Sequence, residues 1–465
     1  MKRFNAALAL CLLAFGCRAS EPVVVPTAEF EALLSAYALV KSRYVEAADD
    51  KKLLDGAIAG MLASLDPHSS FLDKDELDEV RKDDAGEYTG IGISVELDAP
   101  DMIVTAVTAD SPADRAGIEP GDVVASIDGA TLSGMRLPEI ARRMRGVPGS
   151  ALAIGIRQGG AGAVRTLKLR RAALLAQTVK TRPMAGGVAW IQLSAFEGNT
   201  AHDLVAALKA LDTATAPRGI VLDVRNDPGG LVSAAVGVAG AFLPPGTPLF
   251  SARGRATGAD ATVTVDPRFY QRPDEPDVLA DLPAWARTVP LAVLVNGASA
   301  SSAELLAGAL QDHGRATVLG TRTFGKGSIQ SIFPLAADSA VKLTVARYFT
   351  PNGNEIQAHG ITPDVIVAPE RARNDATRLV LREEDLAQHL EAMLPEEEEA
   401  APPTKRAEVE STRMFGTRDD KALAAAVTLL APDSAQAAGA HGLLGKLAPG
   451  LRHVVAVLKS LDGAD

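Results

Sequence analysis

The stretch LAVLVNGASASSAELLAGALQDHGRATVLGTRTFGKGSIQ, from Leu291 to Gln330, decides how this chain is read. LAVLV is an unbroken apolar run of strand length that stops at Asn296-Gly297, and helical spacing begins near Ala303. Three serines, Ser299, Ser301 and Ser302, occupy the turn between them. A side chain there sits at a helix N-terminus, where free backbone N–H groups and the macrodipole favour negative charge. Such a place can stabilise the oxyanion formed when a serine attacks a carbonyl. Ser301-x-x-Glu304 is equally a capping box. On these residues alone, cap and nucleophile are both open readings.

A nucleophile needs a base. The seven histidines, His68, His202, His313, His359, His389, His441 and His453, fall in no triad or zinc spacing. The remaining candidate is Lys326 in Thr323-Phe324-Gly325-Lys326-Gly327, where flanking glycines let the backbone approach a neighbouring element. Gln330 follows four residues on, and shares a face with Lys326 if the segment is a strand. A lysine acts as a base only when neutral, which requires its pKa to fall from ~10.4 to roughly 7–8, at about 3–5 kcal/mol. Burial near Phe324 would supply that, and Gln330 would orient the amine without adding charge. A solvated turn lysine is the other reading, and spacing does not separate the two.

Outward from this stretch, residues 186–369 alternate strands and helices: VAWIQLSAF then TAHDLVAALKAL, GIVLDVR then LVSAAVGVAGAFL, LAVLVNG then SAELLAGALQD. That alternation predicts a largely parallel sheet with covering helices and reactive groups at the carboxyl ends of its strands. Residues 88–171 read differently. Strands YTGIGISVEL and MIVTAV, a short helix opened by Ser111-Pro112-Ala113, strand GDVVASIDG, a helical face at Leu137, Ile140, Ala141 and Met144, and strands ALAIGIRQ and AVRTLKLR follow the order of a PDZ domain in its bacterial arrangement. From Glu29 to Leu65, Leu33, Leu34, Tyr37, Val40, Leu53, Leu54, Ile58, Met61 and Leu62 recur at helical spacing, predicting a helical cap closed by Asp66-Pro67. An acidic and proline-rich linker at 395–403 leads to KALAAAVTLL and LRHVVAVLKSL, two amphipathic helices.

Net charge is −11 with no long basic run, which argues against nucleic acid as a partner. The first residues, MKRFNAALALCLLAFGC, place two cations before a short apolar run, a signal-peptide pattern too short for a good membrane span. Ala14-Phe15-Gly16-Cys17 is similar to a bacterial lipoprotein cleavage box, with lipidation expected at Cys17; an ordinary secretory cut a few residues later is the alternative. Cys11 and Cys17 are the two cysteines, so an exported mature chain holds at most one thiol and no internal disulfide. Membrane attachment is expected only through the lipid.

The central stretch resembles the active-site signature of the carboxy-terminal processing proteases, PDZ-bearing Ser–Lys peptidases also called tail-specific proteases. The matching residues are Ser299-Ala300-Ser301-Ser302-Ala303-Glu304, Gln311-Asp312, Arg315-Ala316 and Thr323 to Gln330. Ser302-Ala303 inverts the family's Ala-Ser. Tyr44-Val45, Leu65 to Ser70, Tyr88 to Ile93, Ser111-Pro112-Ala113, Gly121-Asp122, Leu222 to Gly230 and Ala346 to Asp364 match in order elsewhere, with Asp227 where the family commonly has Asn. The resemblance implies a multidomain α/β fold: a signal peptide over 1–17, a helical cap over 28–80, a PDZ domain over 88–171, a crotonase-like sheet-and-helix protease core over 172–369, an extension over 370–430 and a helical tail over 431–465. It implies Ser301 as nucleophile, Lys326 as base, Gln330 as orienting residue, and the backbone N–H groups of Gly229 and Ser302 as the oxyanion hole. Neither metal nor other cofactor is expected. Gly90, Ile91, Gly92 and Ile93 are implied to capture the C-terminal carboxylate of apolar-ended peptides. Arg145 is either a sensor of that bound end or a surface charge. A homodimer through the cap and an activating adaptor are the further partners considered. The expected product is an exported serine endopeptidase of the periplasm; a catalytically silent PDZ scaffold and a crotonase-type acyl-CoA enzyme are the alternatives.

Overall fold

The computed structural model describes residues 26–432, apart from 99–100, 109, 133–134, 136–139, 141–142, 161, 212–215, 257–259, 273–274, 368–378, 381, 394–406, 409–414 and 417–419. The leader with Cys11 and Cys17, the linker at 395–403, the tail helix expected at 451–461 and most of the helix expected over 137–144 lie outside the described residues.

The cap is two helices, α1 (Thr27–Arg43) and α2 (Asp50–Ala63). Asp49 starts the second by accepting the Lys52 N–H at 2.8 Å. A short strand β1 (Ser70–Leu72) and helix α3 (Lys74–Ala85) lead into the PDZ block. Its strands are β2 (Glu87–Gly90), β3 (Ile93–Asp98), β4 (Asp101–Val107), β5 (Val123–Ile127), β6 (Ala130–Thr131), β7 (Ala151–Arg157), β8 (Arg165–Arg170) and β9 (Ala172–Leu175). One sheet runs β3-β4-β5-β7-β8 with β6 on β5, and β2 pairs with β9. Between β4 and β5, helix α4 (Pro112–Arg115) opens as expected, with the Ser111 hydroxyl accepting the Asp114 N–H at 3.2 Å. Ile91, Met102, Val104, Ile127, Ile140 and Leu152 pack together beneath the sheet.

The core carries the predicted alternation. Its parallel strands are β11 (Val188–Leu193), β12 (Gly219–Asp223), β15 (Leu291–Val295), β16 (Thr317–Gly320) and β19 (Val365–Ile366), with β10 (Val179–Pro183) antiparallel at one edge. Helices α5 (Thr200–Leu211), α6 (Val232–Gly240) and α7 (Ser302–Asp312) cover one face. Every residue of β11, β12 and β15 is buried, which is why these strands read as apolar runs rather than alternating ones. Successive residues nevertheless point to opposite faces. Ile191, Leu222 and Val293 face α5–α7, whereas Trp190, Val221 and Leu294 face the other way.

That other face is covered by α8 (Lys421–Leu430), which packs Leu423 and Ala426 against Trp190 and Leu294. The sequence marked KALAAAVTLL as an amphipathic helix without a role; its role is to complete this face. It is anchored by charge as well. Arg225, 2% exposed, donates to Asp223 from Nε at 2.9 Å and Nη2 at 2.6 Å, and to Asp420, the cap of α8, from Nη1 at 3.0 Å and Nη2 at 2.7 Å. The Phe415 ring lies 3.9 Å from the guanidinium carbon.

A second sheet was not separately legible. It is formed by β1, β18 (Ser339–Phe349), β13 (Pro248–Arg253) and β14 (Ala261–Thr264), with β17 (Ser328–Ala336) also on β18. Its pairings are antiparallel, and β1 brings the cap's last segment into it through Ser70 opposite Lys342.

Replacing Asp420 by Ala leaves Arg225 buried with one carboxylate fewer, and is expected to lower stability by about 3 kcal/mol in urea unfolding. A loss below about 1 kcal/mol, the range of exposed ion pairs, contradicts this account.

Candidate active site

The carboxyl ends of two adjacent parallel strands build the site. Asn296 closes β15, and its side chain reaches across to the loop after β12: Oδ1 accepts the Asn226 N–H at 3.0 Å and Nδ2 donates to Asn226 Oδ1 at 2.8 Å. Ser299 donates its hydroxyl to the Val224 carbonyl at 2.7 Å and accepts the Asn296 N–H at 3.0 Å. Ser302 donates to the Gly230 carbonyl at 2.8 Å. Both serines are 0% exposed and both hydroxyls are spent on backbone.

Ser301 differs. It is 9% exposed and its backbone has φ 53° and ψ −115°, a conformation that a side chain adopts only under constraint. The carboxylate half of the capping box is formed, with Glu304 accepting the Ser301 N–H at 2.8 Å. The turn therefore caps α7 and presents Ser301 at its N-terminus.

Glu304 does more than cap. Its Oε2 also accepts the Lys326 N–H at 2.9 Å, and its Oε1 accepts the Gly325 N–H at 2.7 Å and the Thr323 hydroxyl. One oxygen thus joins the backbone of Ser301 to that of Lys326. A further bond, Phe324 N–H to the Ser299 carbonyl at 3.0 Å, fastens the two loops together. In the sequence Glu304 reads only as a cap. The signal that could have exposed it is a carboxylate near the start of a helix whose next six residues, Leu305 to Leu310, are apolar or glycine and buried.

Lys326 is largely buried, and burial, with Lys342 nearby, pulls its amine below the usual lysine range; Glu383, Glu304 and Asp66 pull the other way. The glycines beside it are needed as expected. A Cβ on Gly327 would lie 2.2 Å from the Gln357 nitrogen, and Gly325 has φ 96° with Ala358 close by.

Gln330 shares no strand face with Lys326. Lys326 precedes β17, so the same-face argument, which needs one strand across both residues, does not apply. Gln330 lies opposite Thr344, and its Nε2 donates to Thr344 Oγ1 at 3.1 Å and Ser328 Oγ at 2.9 Å. Thr344 in turn donates to Asp66 Oδ1 at 3.1 Å. Behind it, His68 Nε2 meets Glu383 Oε2 at 2.8 Å, and Gln357 bridges Glu383 to the Gly327 N–H. The Asp66-Pro67-His68-Ser69 segment of the cap is therefore a wall of the site, a role sequence reasoning missed.

Gly229, with φ 91°, sits directly against the Ser301 turn: an added Cβ would come within 2.8 Å of both Ser301 Cβ and Ser302 N. Its own N–H donates to Asp227 Oδ1 at 2.8 Å. In the PDZ block, Gly90, Ile91, Gly92 and Ile93 lead into β3, the terminal strand of its sheet. Gly92 has φ 85°, and a Cβ there would meet Ser111 Cβ at 2.2 Å. Arg145 is exposed and stands 3.9 Å from Glu79 on α3, which agrees with the surface-charge reading. Among the described residues no three His, Cys, Asp or Glu side chains are grouped to hold a metal ion, and no helix is long and apolar enough to cross a membrane.

A serine presented at a strand-to-helix turn of an α/β core, with a PDZ domain on the same chain, is the architecture of a serine-type peptidase. Comparison with known proteins agrees. Peptidase family S41 matches residues 187–367, a PDZ domain matches 103–158, and the N-terminal domain of the activating protease CtpB matches 18–76. A carboxy-terminal-processing protease of Bartonella bacilliformis is 38% identical over 76% of this chain and 78% of its own. The carboxy-terminal processing protease CtpA of Bacillus subtilis is 31% identical over 72% and 68%. The solved structure of a photosystem II D1 C-terminal processing protease shares 31% identity, covers 73% of this chain and 87% of its own, and gives a TM-score of 0.45. This chain belongs to the carboxy-terminal processing proteases of peptidase family S41.

Burial pushes the Glu304 carboxyl from its ordinary 4.5 up to about 7, against the pull of its four donors. A group held above its unfolded value contributes stability that is full below about 4.5 and is lost as pH rises to about 7. Over that window wild type should lose about 3 kcal/mol that Glu304→Gln does not, read as a difference in slope of unfolding free energy against pH. Parallel slopes refute it.

Proposed function

We propose that this chain is an exported endopeptidase that selects proteins by their C-termini and hydrolyses peptide bonds with Ser301 as nucleophile and Lys326 as general base. The observation that carries this reading is the shared oxygen of Glu304, which holds a conformationally constrained serine and a buried lysine in one frame. Neutral Lys326 takes the Ser301 proton as Oγ attacks the carbonyl, giving an acyl-enzyme. The lysinium then protonates the leaving amine, and water, activated by the regenerated amine, completes hydrolysis. The Ser302 N–H at the start of α7 and the Gly229 N–H beside it receive the oxyanion. Gln330 acts at one remove, fixing the Lys326 loop through Ser328, Thr344 and Asp66.

Selection falls to the PDZ domain. A peptide C-terminus extends the sheet along β3, its carboxylate at the Gly90–Ile93 turn, with an apolar last residue. The N-terminal match to an activating protease supports regulation through the cap, by an adaptor or a second copy. The leader pattern and Cys17 support a location in the cell envelope on a lipid anchor. A catalytically silent PDZ scaffold is the competing reading, and the same experiment separates them.

With an unstructured protein of apolar C-terminus as substrate, wild type lacking residues 1–17 and Ser302→Ala should cut, while Ser301→Ala and Lys326→Ala should lose at least about a thousandfold in kcat/KM. Peptide binding with no cutting by any variant supports the scaffold. Activity should rise with pH through an apparent value below that of free lysine, because the base works only when neutral. In cells, Cys17→Ser should abolish incorporation of labelled fatty acid; unchanged labelling removes the anchor.

A further inference from the structure

One buried acid has no part in this chemistry and stands beside it. Asp227 lies in the loop between β12 and α6, 0% exposed. Its backbone carbonyl accepts the Ala300 N–H at 2.9 Å, so its position is tied to the nucleophile turn itself. Its Oδ1 accepts the Gly229 N–H at 2.8 Å, the donor that the proposed chemistry assigns to the oxyanion. Its Oδ2 is buried with no hydrogen-bond partner among the described residues.

An ionised carboxylate in that place is costly twice over. An unpartnered charged oxygen pays a large desolvation penalty, and it sets a negative charge beside the point where another develops. It also grips the Gly229 N–H with a charge-assisted bond, roughly twice as strong as a neutral one. Among the described residues no cation relieves it. Arg225, two residues back, directs its guanidinium to Asp223 and Asp420. Glu304 takes its four donors from Ser301 and the Lys326 loop. The charged side chain that acts on Asp227 from the packed loop after β11 is Glu197, whose sign makes ionisation harder. Burial is the larger influence, and together they hold the carboxyl well above the usual aspartate range despite the Gly229 bond.

We propose that Asp227 is a positioning residue that works as a neutral carboxylic acid, and that its ionisation withdraws the Gly229 N–H from the oxyanion hole. As a neutral acid it carries the proton on Oδ2 and holds the Gly229 N–H loosely through Oδ1, leaving that donor to be shared with the oxyanion. Loss of the proton to solvent turns it into a competitor for the same donor. The active form needs Lys326 without its proton and Asp227 with one, and ionisation of Asp227 lowers activity as pH rises.

This rests on the Ser301–Lys326 reading, and the test keeps the two apart. For wild type, kcat/KM should fall about a hundredfold on the alkaline side, the size expected for one oxyanion donor lost. Asp227→Asn, neutral at every pH and of the same shape, should match wild type within about threefold at the optimum and show no such fall. Asp227→Ser serves where Asn is not accommodated. A wild-type profile flat to about pH 9, or an alkaline limb kept in the neutral variants, overturns the proposal. Thermal unfolding reads the same acid without any activity. A folded-state value held above the unfolded one makes wild type lose stability as pH rises from about 4, so the midpoint of Asp227→Asn should gain on wild type towards neutral pH and lose that gain in acid. A difference that does not change with pH overturns the neutral acid. If no variant cuts at any pH while the thermal gain is present, the peptidase reading fails and the buried acid stands.

Discussion

Four donors converge on the carboxylate of Glu304, fully enclosed one turn inside α7. A carboxylate taken out of water is tolerated only when its lone pairs are matched, and three backbone N–H groups and a hydroxyl match these. The consequence is geometric. The donors come from two loops separated by more than twenty residues, so satisfying one acid fixes their relative position to within hydrogen-bond tolerance. It also offsets the backbone conformation of Ser301, which costs on the order of 1–3 kcal/mol and persists only where its surroundings over-determine it. Shorten Glu304 and the same donors are left buried and unpaired, which costs more than the bonds were worth.

Parallel topology explains why this happens at one end of the sheet. Adjacent strands β12 and β15 end side by side, so the loops that follow them must meet. Asn226 with Asn296, and Ser299 with the Val224 carbonyl, stitch those ends before either loop departs. One loop then turns into α7 at Ser301, and the other swings Gly229 against it. Below the junction, Arg225 carries the constraint through the sheet to Asp420 and α8. Residues remote in sequence from the chemistry thus set where the Asn226-Asp227-Pro228-Gly229 loop can lie.

The strand–helix alternation of the core, the two-helix cap and the PDZ order were legible because each rests on local periodicity and punctuation, as in LAVLVNG followed by SAELLAGALQD or Ser111-Pro112 opening α4. The closeness of the Ser301 turn to the Lys326 loop was legible mainly through the order of several motifs together. Three things were not. Apolar runs buried on both faces do not say which residues meet which layer, so the docking of α8 was invisible. The same-face argument for Lys326 and Gln330 assumed one strand across both, and the strand begins only at Ser328. Asp66, His68, Gln357 and Glu383 meet only through long-range folding, and no spacing records that.

Those last residues matter because of what surrounds Lys326. Glu383, Glu304 and Asp66 all favour its charged form, and in water three such carboxylates would hold a lysine protonated. Burial, aided by Lys342, opposes them and prevails. The opposition is sustainable only because each carboxylate is already engaged: Glu304 by its four donors, Glu383 by His68 and Gln357, Asp66 by Ser69, His68 and Thr344. A carboxylate whose lone pairs are filled by donors projects a weaker field onto a neighbouring amine than a bare one. Two of the three depend on the segment that joins the cap to β1. The ionisation of Lys326 is therefore a property of the assembled cap and core, to which Asp66 and His68 connect it.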